Sequence, residues 1–350
     1  MQAALYTPGL GYYASSSRKF GSLPARVATD GSVQQGSDFV TAPELSPLFG
    51  QCVGGQVAQA LRATGTRCVY EFGAGSGALA LQICELLEQQ NVGLEHYFII
   101  ELSANLRARQ QATLAHLGSR VQWLDALPQD MQGVVVGNEV LDAMPVQLLV
   151  RSAGVWHERG VVYTGQTQQP WAWQDRPTDL RPPCDIAGNH DYLCEIHPQS
   201  QAFIHTLAAH LTRGVALFID YGFPEAEYYH PQRHMGTLMC HYQHQADPDP
   251  LILVGDKDIT AHVNFTGIAL AAQDAGLDVM GYAAQGRFLM NCGLLALLEQ
   301  LAPLQRAHAA KLATEHEMGE LFKVLALSKG VDLTQFDPIG FSSGDRMHTL

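Results

Sequence analysis

Residues 69–77 read Val69-Tyr70-Glu71-Phe72-Gly73-Ala74-Gly75-Ser76-Gly77. A short apolar run carrying Glu71 ends in glycines at every second position, Gly73, Gly75 and Gly77. The periodic apolar segment Ala78–Leu87 follows and predicts a helix. The stretch is therefore a buried strand that turns through glycines into a helix. Glycine takes up positive φ and lets a ligand approach the backbone. The helix N-terminus adds unpaired N–H groups and the positive end of a dipole. Turns of this kind hold nucleotide-like ligands.

Outward from this turn, apolar strands alternate with helical segments. Val69–Phe72 precedes a helix near 78–90, and Tyr97–Glu101 precedes one near 103–117. Val121–Leu124 and Val134–Gly137 are the next strands. Ser46-Pro47 predicts the start of a helix through Leu61. The alternation predicts an α/β fold, a Rossmann-like doubly wound sheet with parallel strands. Residues 1–50, rich in Gly, Ser, Pro and Tyr, are expected to form a lid or substrate region, and 51–145 the cofactor-binding core. Residues 146–200 are expected to be a hairpin and cap insertion covering the substrate. The rest of the core falls at 201–330, with a long, irregular, His-rich loop at 223–262 and helix at 293–325. Residues 331–350 read as a loose tail.

The chain has 350 residues and a net charge of −13, from 21 Lys and Arg against 34 Asp and Glu. That balance argues against a nucleic-acid surface, which needs clustered cations. No apolar run approaches the roughly 20 residues of a membrane span. Neither a secretory nor a transit pattern stands at the N-terminus, so a cytoplasmic location is expected. Seven widely spaced cysteines fit a reducing compartment. His230, His234, His241 and His244 lack a paired cysteine set, and no metal site is expected.

Two further acidic residues bear on the ligand. Glu101 closes the second strand, where a carboxylate can bond a ribose diol. Asp125 follows the third strand, where one could accept an adenine amino hydrogen. Carboxylates at Glu71, Glu101 and Asp125 suit S-adenosylmethionine, which carries a sulfonium and an amino group and no phosphate. A dinucleotide enzyme remains open, because Gly73–Ala78 also fits the looser G-x-G-x-x-A form, and so does a glycine turn that binds nothing. After the fourth strand comes Asn138-Glu139-Val140-Leu141-Asp142-Ala143-Met144-Pro145. Glu139 and Asp142, three apart, share a face on a helical turn and could clamp a guanidinium. The other reading is that Asp142 caps the turn and Glu139 is solvated. Asp220 and Tyr221 end the fifth strand at the same edge. Trp171 and Trp173 read as cap packing.

Several stretches resemble the MidA-like family of class I S-adenosylmethionine-dependent methyltransferases. They are Gly11-Tyr12-Tyr13, Asp38–Gly50, the glycine turn, Asn138–Val146, Ile219–Gly222, Gly236-Thr237-Leu238, Asp258–Phe265 and Gly319–Leu325. That family includes a mitochondrial complex I assembly factor that methylates an arginine. Two departures are visible: the family carries more helix before Gly11, so the chain is expected to begin late in the pattern, and Ser37 stands where a glycine usually precedes Asp38. The resemblance implies S-adenosylmethionine as cofactor, held by Glu71, Gly73, Gly75, Gly77, Glu101 and Asp125. It implies a protein partner presenting an arginine, such as a complex I-type subunit. Glu139 and Asp142 would form the clamp, Asn138 would orient them, and His262 would orient a carboxylate in the substrate pocket. A weakly catalytic or non-catalytic assembly factor that binds a partner subunit is the alternative.

Overall fold

A computed structural model describes residues 1–14, 41–334 and 336–350, together with the backbone of the strand pair Arg26–Val27 and Val33–Gln34. Gly36, Ser37 and Asp38-Phe39-Val40 lie outside the described residues. The first long helix, α1 (Pro47–Thr64), starts where the sequence predicts. The Ser46 hydroxyl accepts the Leu48 N–H at 3.3 Å, Pro47 opens the first turn, and Gly65 at φ 65° ends the helix.

The central sheet is built from β1 (Cys68–Phe72), β2 (His96–Ile100), β3 (Val121–Leu124), β4 (Met131–Asn138), β5 (Leu211–Phe223), β6 (Asp278–Ala284) and β7 (Phe322–Lys329). Their spatial order is β3-β2-β1-β4-β5-β7-β6. The first five run parallel, and β7 is antiparallel to both neighbours. Helices α2 (Ala78–Gln89), α3 (Ala104–Thr113), α4 (Pro198–His210) and α5 (Phe265–Asp274) flank it. Alternation along the strands sorts the core into two layers. Val134, Val136, Leu217 and Ile219 pack towards α1 and α2, while Val135, Ala216 and Phe218 pack towards α4 and α5. Strands buried on both faces read as unbroken apolar runs.

Register decides the site. Phe72 pairs with Ile100 on one side and Gly137 on the other, and Asn138 pairs with Ile219. The residues at and just beyond these strand ends, Gly73, Glu101, Glu139 and Asp220, therefore emerge at one edge of the sheet. The order reverses between β1 and β4, which opens the crevice there. Because β7 runs the other way, Phe322 begins at the same edge, opposite Tyr221.

Three segments differ from expectation. The helical reading of 293–325 stops short at its end, because Phe322 already begins β7, an inner strand of the sheet. Residues 223–262 are ordered into a short helix, Glu225–Tyr228, and a three-stranded sheet of Met239–Tyr242, Gln245–Asp247 and Asp258–Thr260. Lys257 clamps that sheet's loop by bonding both Asp247 oxygens, at 2.7 and 2.6 Å. Among the described residues of 331–350, Phe336, Gly340 and Phe341 are buried, with Phe341 against Phe288 and the Gly340 N–H donating to Gln56 Oε1 at 2.9 Å. The insertion is a four-stranded antiparallel sheet of Gln147–Ser152, Val155–Tyr163, Trp171–Pro177 and Tyr192–Ile196. Its first hairpin turns on Ala153 and Gly154, both at positive φ, the geometry that matches strand twist. Trp173 is exposed rather than packed as a cap.

Candidate active site

A cavity of about 940 Å³ opens at this sheet edge. Its floor at one end is the glycine turn. The Gly73 N–H donates to the Ile100 carbonyl at 3.0 Å, which ties the turn to β2. Gly73, Gly75 and Gly77 take φ of 61°, 53° and 86°, values other side chains rarely adopt. A Cβ placed on Gly75, which lines the cavity, would meet nothing within 4 Å.

Gln110, fully buried on α3, locks this end together. Its Nε2 donates to the Gly75 carbonyl at 3.1 Å and to Glu101 Oε2 at 3.0 Å, and its Oε1 accepts the Trp123 indole N–H at 2.9 Å. Glu101 also accepts the Ser103 N–H at 2.8 Å. Burial pushes the Glu101 carboxyl up, and these bonds oppose that. Glu71 lies beneath the turn, accepts the Tyr97 hydroxyl at 2.7 Å, and is pushed up to about 8 chiefly by burial.

The other end is built on a buried aspartate. Asp220 Oδ2 accepts the N–H groups of Val140, Leu141 and Asp142 at 3.1, 2.9 and 3.2 Å, and its Oδ1 accepts that of Tyr221 at 3.0 Å. The chain leaving β4 is thereby folded back onto β5, and Glu139 is forced to φ 53°. Such a conformation costs a non-glycine residue roughly 1–2 kcal/mol and persists only where its surroundings impose it. Glu139 accepts the Asn138 amide at 3.1 Å. Burial and then the nearby Asp142 charge push its carboxyl up to about 8. Burial likewise pushes Asp142 up, and its bond to the Tyr221 hydroxyl works against that. Asp258, from the small sheet, accepts the Tyr13 hydroxyl at 2.9 Å.

Among the described residues the cavity is lined by six carboxylates, Glu44, Glu71, Glu101, Glu139, Asp142 and Asp258, and by no Lys or Arg. Asn138 Oδ1, Asp142 Oδ1 and His262 Nδ1 are buried there without a hydrogen-bond partner among the described residues. Glu71, Glu101, Glu139 and Asp142 hold protons more tightly than usual, chiefly because burial disfavours their charged forms, while Glu44 pairs with Arg109 at 3.6 Å. The cavity therefore suits positively charged, donor-rich ligands, and disfavours phosphates.

The structure thus brings Glu71, Gly73, Gly75, Glu101, Asn138, Glu139, Asp142 and His262 to one cavity. Gly77 sits just behind, where it caps α2. Asp125 is not brought in: its side chain is 87% exposed and pairs with Arg107 at 2.7 Å. The strand end falls where the sequence places it, but the arginine on α3 draws the carboxylate outward. His262 lines the same cavity. It packs edge-on against Tyr221 and Phe223, and burial with Arg233 and Lys323 nearby lowers it to about 4. The Tyr221 hydroxyl stands beside the Asp142 carboxyl and opposes the rise that burial causes there. Nothing in the sequence alone gives a site role to Gln110, whose contacts are set by the fold.

The model of a family of S-adenosyl-L-methionine-dependent methyltransferases matches residues 52–283. The chain belongs to this family. The sheet order agrees, since a dinucleotide fold of order 3-2-1-4-5-6 has no antiparallel strand between its fifth and last members. A Burkholderia thailandensis structure bound to S-adenosyl-homocysteine is 48% identical, with a TM-score of 0.89 over all of this chain and 90% of that one. The mitochondrial protein arginine methyltransferase NDUFAF7 of Homo sapiens is 25% identical over 93% of this chain and 78% of its own length. Its Drosophila melanogaster homologue is 27% identical over 87% and 78%. The chain is an S-adenosylmethionine-dependent methyltransferase of the MidA-like family.

Proposed function

We propose that this methyltransferase acts on an arginine side chain of a protein. The observation that carries the reading is the set of unpartnered acceptors and carboxylates at the substrate end, with no cation among the described lining residues. A guanidinium offers five N–H donors, no acceptor and a permanent charge. It satisfies what the wall lacks. The mitochondrial relatives named as protein arginine methyltransferases support it.

In this reading Gly73, Gly75 and Gly77 let the cofactor lie against the backbone, Glu101 takes its ribose hydroxyls, and Glu71 compensates its positive groups. S-adenosylmethionine supplies a methyl group on a positive sulfonium. Glu139 and Asp142 receive the guanidinium N–H groups and give up their own protons as the cation arrives. Asn138 and Tyr221 hold the two carboxylates in place. The guanidinium nitrogen forms a bond to the methyl carbon as the carbon–sulfur bond breaks. Its surplus proton passes to Glu139. Most of the rate comes from holding the reactants in line and from the carboxylates facing the reacting nitrogen.

Glu139→Gln combined with Asp142→Asn tests the assignment. Methyl transfer to a protein acceptor should fall at least 100-fold while S-adenosyl-homocysteine binds as before. Unchanged transfer would mean that the two carboxylates form no clamp.

A further inference from the structure

None of the residues Gln147–Ile196 of the inserted sheet lines the cavity, yet the sheet reaches it through one side chain. Glu195, on the strand Tyr192–Ile196, is completely buried. Its Oε1 accepts the backbone N–H groups of Thr237 and Leu238 at 2.8 and 3.1 Å. Its Oε2 accepts the hydroxyls of Tyr228 and Thr237 at 2.8 and 3.1 Å. Four donors on one carboxylate fix the segment before it as a loop cannot fix itself. The same strand carries the preceding residues: the Leu193 N–H donates to the His234 carbonyl at 2.9 Å, and Leu193 bridges Met235.

Gly236 allows the approach. It lies at φ 71°, and a Cβ there would come within 2.5 Å of Glu195 Oε1. Thr237 then does two things: it lines the cavity, and its Oγ1 accepts the His262 backbone N–H at 3.1 Å. His262 lines the cavity as well and packs on Tyr221, the partner of Asp142. A continuous series of contacts therefore runs from the inserted sheet to the substrate carboxylates. It also gives the Gly236-Thr237-Leu238 stretch a physical role.

We infer that Glu195 is a positioning residue for the acceptor substrate: it sets Thr237, and through Thr237 the wall at His262, while leaving the cofactor end untouched. The inference rests on the proposed reading only for the identity of the acceptor. Glu71, Gly75 and Glu101 are held by Tyr97 and Gln110 instead, so the two ends should respond separately.

The test compares wild type, Glu195→Ala and Glu195→Gln. The Ala variant should raise KM for the acceptor protein about tenfold or more, with the Kd of S-adenosyl-homocysteine changed less than twofold. The Gln variant keeps an oxygen for the two backbone donors and should recover most of the loss. Hydrogen exchange should show faster exchange at the Thr237 and Leu238 amides in the Ala variant, with β1 and β4 still protected. If acceptor KM and those amides stay at wild-type values, the inference is wrong. It is equally wrong if cofactor affinity falls in step with acceptor affinity, or if the Ala variant loses protection throughout, since Glu195 then serves the fold at large. Mass spectrometry of the methylated residue separates the two claims: a label outside arginine overturns the arginine reading, while the effect of Glu195 is still measured on the residue found.

Discussion

Glu139→Gln should make the enzyme more stable and less active, with both effects set by the same feature. Burial, and then the nearby Asp142 and Asp258 charges, push the Glu139 carboxyl from 4.5 up to about 8, with no Lys or Arg among the described residues lining the cavity. A tenfold change in proton affinity is worth about 1.36 kcal/mol. Between 4.5 and pH 7 this gives at most about 3 kcal/mol, and relaxation and solvent at this half-buried group leave roughly 1–2 kcal/mol. The sign follows from proton binding. The folded protein keeps a proton that the unfolded chain releases, so stability is lost as pH rises from about 4.5 through about 8. Glutamine keeps the shape and can still accept the Asn138 amide, but titrates nothing. Its advantage should be near zero at about pH 4.5 and largest above about pH 8, a rise in Tm of roughly 2–5 °C. Removing a charged hydrogen-bond acceptor costs about 1.5–3 kcal/mol, so kcat/KM for the acceptor should fall roughly 10- to 150-fold. Thermal unfolding at about pH 5 and about pH 8, with methyl transfer measured on the same samples, checks both halves. A lower Tm, or a gain equal at the two pH values, would show that Glu139 does not carry a held proton.

Three further outcomes are expected. Gly75→Val places a β-branched residue at φ 53° and fills the space above the turn; S-adenosyl-homocysteine should bind at least tenfold more weakly by calorimetry, with a stability cost of about 1–2 kcal/mol. Tyr221→Phe removes the hydroxyl beside Asp142, and kcat should drop roughly tenfold with cofactor Kd unchanged. His262, lowered to about 4, is neutral at ordinary pH. The pH–rate profiles of wild type and His262→Gln should therefore share one shape between about pH 5 and 8, and an inflection near about 6.5 present only in wild type would contradict this.

Much of the sheet is legible in the sequence, because its strands announce themselves locally. Glu71 to Gly77 states a strand, a turn and a helix start, and Ser46-Pro47 states another helix start. The β7 strand is not legible, since Phe322–Lys329 is buried on both faces, lacks a period of two and follows a helical region. Residues 223–262 read as irregular for a related reason. Their order rests on partners far away in the chain, such as Tyr13 on Asp258 and Glu195 on Thr237. At the site, residues following strand ends are foreseeable because register alone carries them to one edge. Side-chain direction is not: Asp125 pairs outward with Arg107, and the Tyr221 hydroxyl comes to stand beside Asp142.

Arginine methylation at the carboxylate end of the cavity can be checked by incubating the enzyme with isotopically labelled S-adenosylmethionine and a cell extract, then locating the label by mass spectrometry. The expected result is label on arginine of a protein acceptor, and its loss in the Glu139→Gln, Asp142→Asn double variant that still binds S-adenosyl-homocysteine. Label on another residue type or on a small molecule, or arginine labelling undiminished in the double variant, would contradict it.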